Sequence, residues 1–186
     1  MAKVKLNPVL ERVRGQVGDV VFKRYNDEVI MARKPDLTGR TPTEGQAAHR
    51  EQFKLAALYG RTVLADPQKK AVYDAAAKSK YVPAFALTIG DFLNAPVVDE
   101  IDLSGYTGKT GETICVAASD DFEVTGVEVS ITDANGAVLE HGPAAAQNGS
   151  WSYTATTDLT AGQPVSIVAT ATDRPGHKGT KTQAKS

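Results

Sequence analysis

Cysteine occurs once in this 186-residue chain, at Cys115, so no disulfide forms within it and no cysteine-based zinc site can be built. Cys115 alternates with Ile114 and Val116 in a strand-like run and is expected to fill core space. No base or helix N-terminus adjoins it, as an activated thiol would need. Histidine is nearly as scarce: His49, His141 and His177 show neither H-x-x-x-H nor H-E-x-x-H spacing, and a solvated surface position is expected for each. No apolar run approaches the roughly 20 residues of a membrane span. The first 20 residues lack the unbroken apolar stretch of a secretory signal. Synthesis in the cytoplasm without such a signal is expected; the final location, a virion or the extracellular space included, stays open. The chain also lacks G-x-S-x-G, P-loop and G-x-G-x-x-G motifs. The run from Ser104 to Gly111, SGYTGKTG, has the wrong spacing for a phosphate loop, and no long helix follows to present its amides. With no nucleophile–base pair and no cofactor loop, neither an enzyme nor a bound cofactor is expected.

What the chain does have is a change of character near Pro96. Residues 1–90 hold 16 Lys and Arg against 9 Asp and Glu, and residues 91–186 hold 5 against 13. A formal total of −1 therefore hides halves of +7 and −8. The first half is alanine-rich and partly helical, and the second is rich in threonine and glycine and patterned for strands.

In the first half, residues 17–34 read as a β-hairpin, with Val20, Val21 and Phe22 leading in and Val29, Ile30 and Met31 leading out. Asn26-Asp27 forms the tight connection. Gly15 and Gly18 suggest a bulge or a close backbone approach. Thr41-Pro42-Thr43-Glu44 then reads as a helix start, with Thr41 capping, Pro42 at the first helical position and Glu44 completing a capping box. That helix should run to about Leu64 with Phe53, Ala56, Ala57, Gly60, Val63 and Leu64 on its inner stripe. Asp66-Pro67 opens a second helix to about Ser79, its inner face Ala71, Val72, Ala75 and Ala76. Thr88-Ile89-Gly90-Asp91 starts a short third. Helices this poor in large apolar side chains gain little by packing alone, at about 25 cal/mol per Å². They need a neighbour, either the second half or another subunit.

From Val97 onward short strands alternate with turn signals in the manner of a β-sandwich. They are Val97–Leu103, Thr113–Ser119, Val124–Asp133, Ala137–His141, Ser150–Thr157, Val165–Ala171 and Gly179–Thr182. Asp133-Ala134-Asn135-Gly136 is a hairpin turn, and Trp151, Tyr153 and Ala155 are expected in the core. The run from Ser119 to Val129, SDDFEVTGVEV, with the later Ala169-Thr170-Ala171-Thr172-Asp173-Arg174-Pro175-Gly176-His177, resembles bacterial immunoglobulin-like domains. Those domains often pair a D-N/D-x-x-V-x-x-V-x-V strand entry with an A-T-D-x-x-G-N turn. Asp121 and His177 stand where Asn is usual. The likeness covers about 90 residues and implies an adhesion or structural role. Gly15-Gln16-Val17-Gly18-Asp19-Val20-Val21, Arg33-Lys34-Pro35 and the spaced Thr43, Gln46, Arg50 and Phe53 are similar to uncharacterised bacterial and phage-like proteins that carry such a head before an immunoglobulin-like tail. The expected architecture is α+β: a basic hairpin-and-helix head over residues 1–95 and an acidic immunoglobulin-like β-sandwich over 96–186.

Two site readings follow. Asp120, Asp121 and Asp173, joined by Asp99, Glu100 or Asp102, are candidate calcium ligands, because calcium takes six to eight oxygens at such loop ends. The plainer reading makes them turn residues that bond nearby amides. Lys3, Lys5, Arg12, Arg14, Lys23, Arg24, Arg33, Lys34 and Arg40 could form a stripe that meets nucleic-acid phosphates. Acids interleave with them (Glu11, Asp19, Asp27, Glu28, Asp36) and few aromatics are placed to stack on bases, so a protein interface is the better reading. Lys3, Lys5, Arg12, Arg14, Val20, Phe22, Arg33 and Lys34 are its candidates. The expected role is a non-enzymatic structural protein that self-assembles head to tail into a filament, coat or virion component, its main partner being itself. The competing reading is a monomeric module that binds a glycan or another structural protein. Either the hairpin Val17–Arg33 or the extended arm Ala2–Leu10 could add a strand to a neighbour's sheet edge; if the arm does so, deleting residues 1–14 leaves a soluble monomer in light scattering. Oligomers that persist in the deletion remove the arm from the interface.

Overall fold

The computed structural model describes residues 2–3, 14–25, 28–36, 38–39, 41–160 and 162–185. The chain divides into two compact units, residues 1–44 and 45–186. The compositional boundary near Pro96 thus falls inside the second unit, in which helices and sheet share side-chain contacts.

The first unit is an antiparallel sheet of β1 (Ala2–Lys3), β2 (Gly15–Val17), β3 (Val20–Tyr25) and β4 (Glu28–Arg33), in the order β1-β4-β3-β2. β3 and β4 form the expected hairpin, Val20 opposite Arg33 and Tyr25 opposite Glu28. The Asn26-Asp27 connection lies outside the described residues. Gly15 and Gly18 have positive φ, but a side chain at either would meet nothing within 4 Å, so conformation rather than close approach explains them. Val29 is the buried apolar side chain among those described, and Val20, Val21 and Phe22 are half-buried. Ala2 and Lys3 pair with Met31 and Ile30, so the arm begins on its own hairpin and β2 forms the opposite edge.

The second unit opens with α1 (Glu44–Ala65), α2 (Pro67–Lys80) and α3 (Ala84–Leu93). α1 begins at Glu44, which leaves Thr41 and Pro42 in irregular chain instead of at the expected cap. α2 starts as its sequence suggests: Asp66 accepts from the amides of Gln68 and Lys69, with Pro67 in the first turn. α3 begins at Ala84, four residues before the expected Thr88, because Pro83 already supplies the carbonyl that accepts from Ala86 and Leu87. Gly60 brings α1 close to α3. A Cβ there would lie 2.5 Å from Thr88 Oγ1 and 3.1 Å from the Phe85 ring. Two inner faces differ from expectation. Phe53 is exposed, and α2 buries Tyr73 instead of Ala71, Val72 and Ala75. Alanine marks an apolar face only weakly, and one buried tyrosine rotates the helix about its axis.

All seven expected strands form: β5 (Val97–Asp102), β6 (Thr113–Ser119), β7 (Val124–Asp133), β8 (Val138–Gln147), β9 (Ser150–Thr154), β10 (Val165–Asp173) and β11 (Lys178–Lys185). They make an antiparallel sheet in the order β11-β10-β7-β8-β9-β6-β5. β8 runs longer than expected because it changes partner: Val138–Ala144 lies along β7, and Ala145–Gln147 lies along β9. The sheet therefore turns on itself, and its two edge strands approach. A Cβ on Gly179 of β11 would sit 1.8 Å from the Pro96 carbonyl, and Lys181 Nζ donates to the Asp99 carbonyl. This arrangement is β-sandwich- or barrel-like. Its core gathers Ile114, Val116, Val127, Val129, Ile131, Tyr153, Ile167, Ala169 and Ala171. Tyr153 and Ala155 are inside as expected, while Trp151 is half-buried against the core. Cys115 is exposed. The strand's period of two places it opposite Ile114 and Val116, which correct the expectation of a core thiol. In the 133–136 turn the Asp133 carboxylate accepts from the amides of Asn135 and Ala137, and Gly136 alone supplies positive φ.

A carboxylate of β8 lies inside this sheet. Glu140, 6% exposed, accepts from Tyr153 Oη at 2.6 Å, from the Thr156 amide and hydroxyl, and from the Thr157 amide. Burial pushes its pKa up, but these donors more than offset that and hold it below 4.5. Its contribution to stability is complete above the unfolded-state value and is lost as pH falls through the lower folded one. Glu140→Ala should cost about 3 kcal/mol in urea unfolding at neutral pH, since it strands the buried Tyr153 hydroxyl and the part-buried donors of Thr156 and Thr157. That difference should shrink as the pH falls below the unfolded-state value. A difference independent of pH would assign the loss to packing.

Candidate functional site

The strongest concentration of buried polar chemistry lies where the helices meet the sheet. Tyr73 of α2 stacks on Phe122, with ring centroids 4.4 Å apart and an interplanar angle of 15°. Its hydroxyl donates to Asp91 Oδ2 and stands 3.2 Å from Tyr59 Oη. Asp91, on α3, is wholly buried, and its Oδ1 has no donor. Burial raises the Asp91 pKa most; the Tyr73 hydrogen bond opposes this, and the nearby Asp120, Asp173 and Asp121 charges add to it, leaving it at about 6. Burial and its acidic partner likewise push Tyr73 well above the ordinary phenol value.

Asp120 and Asp121 follow β6. Asp120 Oδ2 accepts from the amides of Phe122 and Glu123, at 3.2 and 2.9 Å, whereas its Oδ1 is buried without a donor. Asp121 Oδ2 accepts from Asn94 Nδ2 at 2.8 Å, and its carbonyl accepts from Lys80 Nζ at 2.6 Å. Gly90 makes room for it: a Cβ there would lie 3.1 Å from Asp121 Oδ2. One carboxylate oxygen each from Asp91, Asp120 and Asp121 falls within 4.8 Å of the others.

Asp173 does not join them. Its Oδ1 accepts from the amides of Gly176 and His177, and its Oδ2 lies 3.1 Å from His177 Nδ1. It is the turn residue of the plainer reading. The His177 ring sets its edge on Phe92 at 5.0 Å, and Phe92 meets Tyr59 at 5.3 Å, so His177 belongs to the junction and not to open surface. Arg174 bonds Glu123 at 2.5 Å and lies 5.9 Å from the centre of the Phe122 ring. A shallow cavity of about 230 Å³ opens beside this group, lined in part by Tyr59, Lys69, Tyr73, Asp173 and Arg174. Asp99, Glu100 and Asp102 lie exposed on β5, outside the group.

Of the sequence candidates, only Asp120 and Asp121 come together, and their third partner, Asp91, was missed. The signal was a lone acid in an otherwise apolar helix, AFALTIGDFL. The glycine loop binds its own acid: Glu112 accepts from the amides of Thr107 and Lys109, at 2.7 and 2.8 Å, which a phosphate would otherwise require. Among the interface candidates, Arg14, Arg33 and Lys34 are exposed, Val20 and Phe22 are half-buried, and Lys3 lies in β1. Lys5 and Arg12 lie outside the described residues. Arg33 and Lys34 share a concave surface with Asp19 and Asp36, which gives it mixed charge.

No family model matches the chain, and no curated protein matches it. Among solved structures it is similar to an engineered protein, 26% identical over 48% of this chain and 19% of that one, with a TM-score of 0.37. It is also similar to CopC from Methylosinus trichosporium OB3b, at 14% identity over 48% of this chain and 89% of that one, with a TM-score of 0.36. A bromine derivative of BhCBM56 is 25% identical over 46% of this chain and 86% of that one, with a TM-score of 0.35. The chain spans about a fifth of the engineered protein. Likenesses at these TM-scores carry no functional argument.

Tyr73→Phe keeps the stacked ring and removes the donor to Asp91. The variant should lose about 2 kcal/mol in urea unfolding, because the wholly buried carboxyl is then left with no donor from Tyr73. An unchanged midpoint would show that Asp91 does not depend on that hydroxyl.

Proposed function

We propose that this protein is a non-enzymatic structural component that associates with copies of itself, its β-rich region an immunoglobulin-like sandwich and its helices the contact layer. The observation that carries this reading is the surface of α1. Ala56, Gly60 and Val63 are its buried residues, while Leu55 and Leu58 project from the opposite side, 56% and 62% exposed. Its first three turns, residues 44–55, bury nothing, and Phe53 there is exposed as well. Adjoining exposed leucines on an outward helix face are apolar surface that a partner can cover. A second copy suits it on charge: residues 45–90 carry 7 Lys and Arg against 3 Asp and Glu, and residues 91–186 carry 5 against 13. Unlike surfaces that meet head to tail give rings or filaments according to whether the rotation closes.

Light scattering coupled to size exclusion tests this on the full chain. Wild type should form concentration-dependent oligomers, and the double variant Leu55→Ser, Leu58→Ser should run as a monomer with unchanged circular dichroism. A wild type that stays monomeric at every concentration and at low and high salt would overturn self-association. The β-rich region would then be read as a monomeric binding module for a glycan or protein.

A further inference from the structure

From the three carboxylates at the helix–sheet junction we infer a binding site for a hard divalent cation of the calcium class, formed by Asp91, Asp120 and Asp121. Clustering alone would not carry this. Two of the three acids present a buried carboxylate oxygen, Asp91 Oδ1 and Asp120 Oδ1, that no donor satisfies. Asp91 is completely buried. A buried anionic oxygen without a partner is costly, and a cation removes that cost for both at once.

The surroundings hold the acids in place while leaving those oxygens free. Tyr73 takes Asp91 Oδ2, two amides take Asp120 Oδ2, and Asn94 takes Asp121 Oδ2. Donors that fix a ligating carboxylate's other oxygen are a recurring feature of metal sites. Among the described residues the basic side chains nearby are engaged elsewhere: Lys80 Nζ goes to the main-chain carbonyl of Asp121, Arg174 pairs with Glu123, and His177 pairs with Asp173. The separation limit of 4.8 Å between ligand oxygens is compatible with calcium, whose oxygens lie about 2.3–2.6 Å from the ion. All-oxygen donors exclude a preference for soft or nitrogen-seeking metals. A bound ion would tie α3 to the loop after β6, and so fasten the helices to the sheet.

Calorimetric titration of calcium chloride into chelator-treated full chain should give one site with a Kd on the order of 0.1–1 mM, as expected for few protein ligands. Calcium at about 5 mM should raise the melting temperature by several degrees. Asp91→Asn and Asp121→Asn should each weaken binding about tenfold or more, while the exposed control Asp99→Asn should leave it unchanged. Magnesium serves as the comparison ion. Absence of heat and of any melting shift with both ions would overturn the inference. So would full affinity in both variants. An Asp91→Asn protein more stable than wild type, with no ion effect in either, would assign the two oxygens to a shared proton instead. Each outcome is read on the chain whatever its oligomeric state, so it stands apart from the test of self-association.

Discussion

Covering Tyr73 is the constraint on which the second unit depends. Small residues such as Ala56, Gly60 and Thr88 hold the closest helix contacts, and residues of that size remove little apolar area from water. Tyr73 supplies a large ring, and Phe122 of the loop between β6 and β7 supplies the surface that covers it. The burial then dictates the polar arrangement. A buried phenol needs a partner for its hydroxyl, and Asp91 on α3 provides it, so α2, α3 and the sheet are fixed together by one side chain. Gly60 and Gly90 are the steric counterpart, since a methyl group at either would push against Thr88 or Asp121. The acid that satisfies the phenol is itself buried beside other acids, which is why the junction holds the carboxyl that is pushed upward.

The sheet meets a related problem in a different way. Glu140 is as deeply placed as many core residues, yet each of its oxygens has donors from Tyr153, Thr156 or Thr157. Glu140 is therefore held ionised, while Asp91, with one donor and several negative neighbours, is pushed the other way. Two buried acids in one unit thus have opposite responses, and the number of donors decides between them. That contrast separates a carboxylate that completes the fold from one whose charge is left for something else to meet.

Strand positions were legible in the sequence because alternation and turn residues are local. Val127, Val129 and Ile131 announce a half-buried strand, and the ends of β6 and β7 fall where the pattern stops. The partner switch in β8 was not legible, because it depends on which strands flank it and not on its own residues. Helix faces were harder still. In α2 Ala71 and Ala75 are exposed, Ala76 and Ala77 are half-buried and Tyr73 is buried, and no periodicity within PQKKAVYDAAAKSK announces that face. Asp120 and Asp121 were legible as loop acids, but Asp91 lies 29 positions before Asp120 on another element, and only the fold brings them together. Cys115 shows the converse case: its neighbours were read correctly, and the same alternation that buries them turns the thiol out.

The charge asymmetry between helices and sheet is not consumed by their contact. Each ion pair among the described residues lies within the helices, as with Lys54–Glu51 and Lys70–Asp74, or within the sheet, as with Arg174–Glu123 and His177–Asp173. Where a helix lysine does reach the sheet, Lys80 meets a carbonyl and leaves the carboxylate charge unpaired. Opposite fields therefore persist on the two parts of one unit. Fields of this kind act over about 8 Å at physiological salt and mainly set how fast and in what orientation copies meet. The leucines on α1 would supply the contact that outlasts the encounter, since apolar burial does not depend on screening. If copies associate as proposed, salt would slow assembly without dissolving it, whereas loss of Leu55 and Leu58 would dissolve it without changing the field.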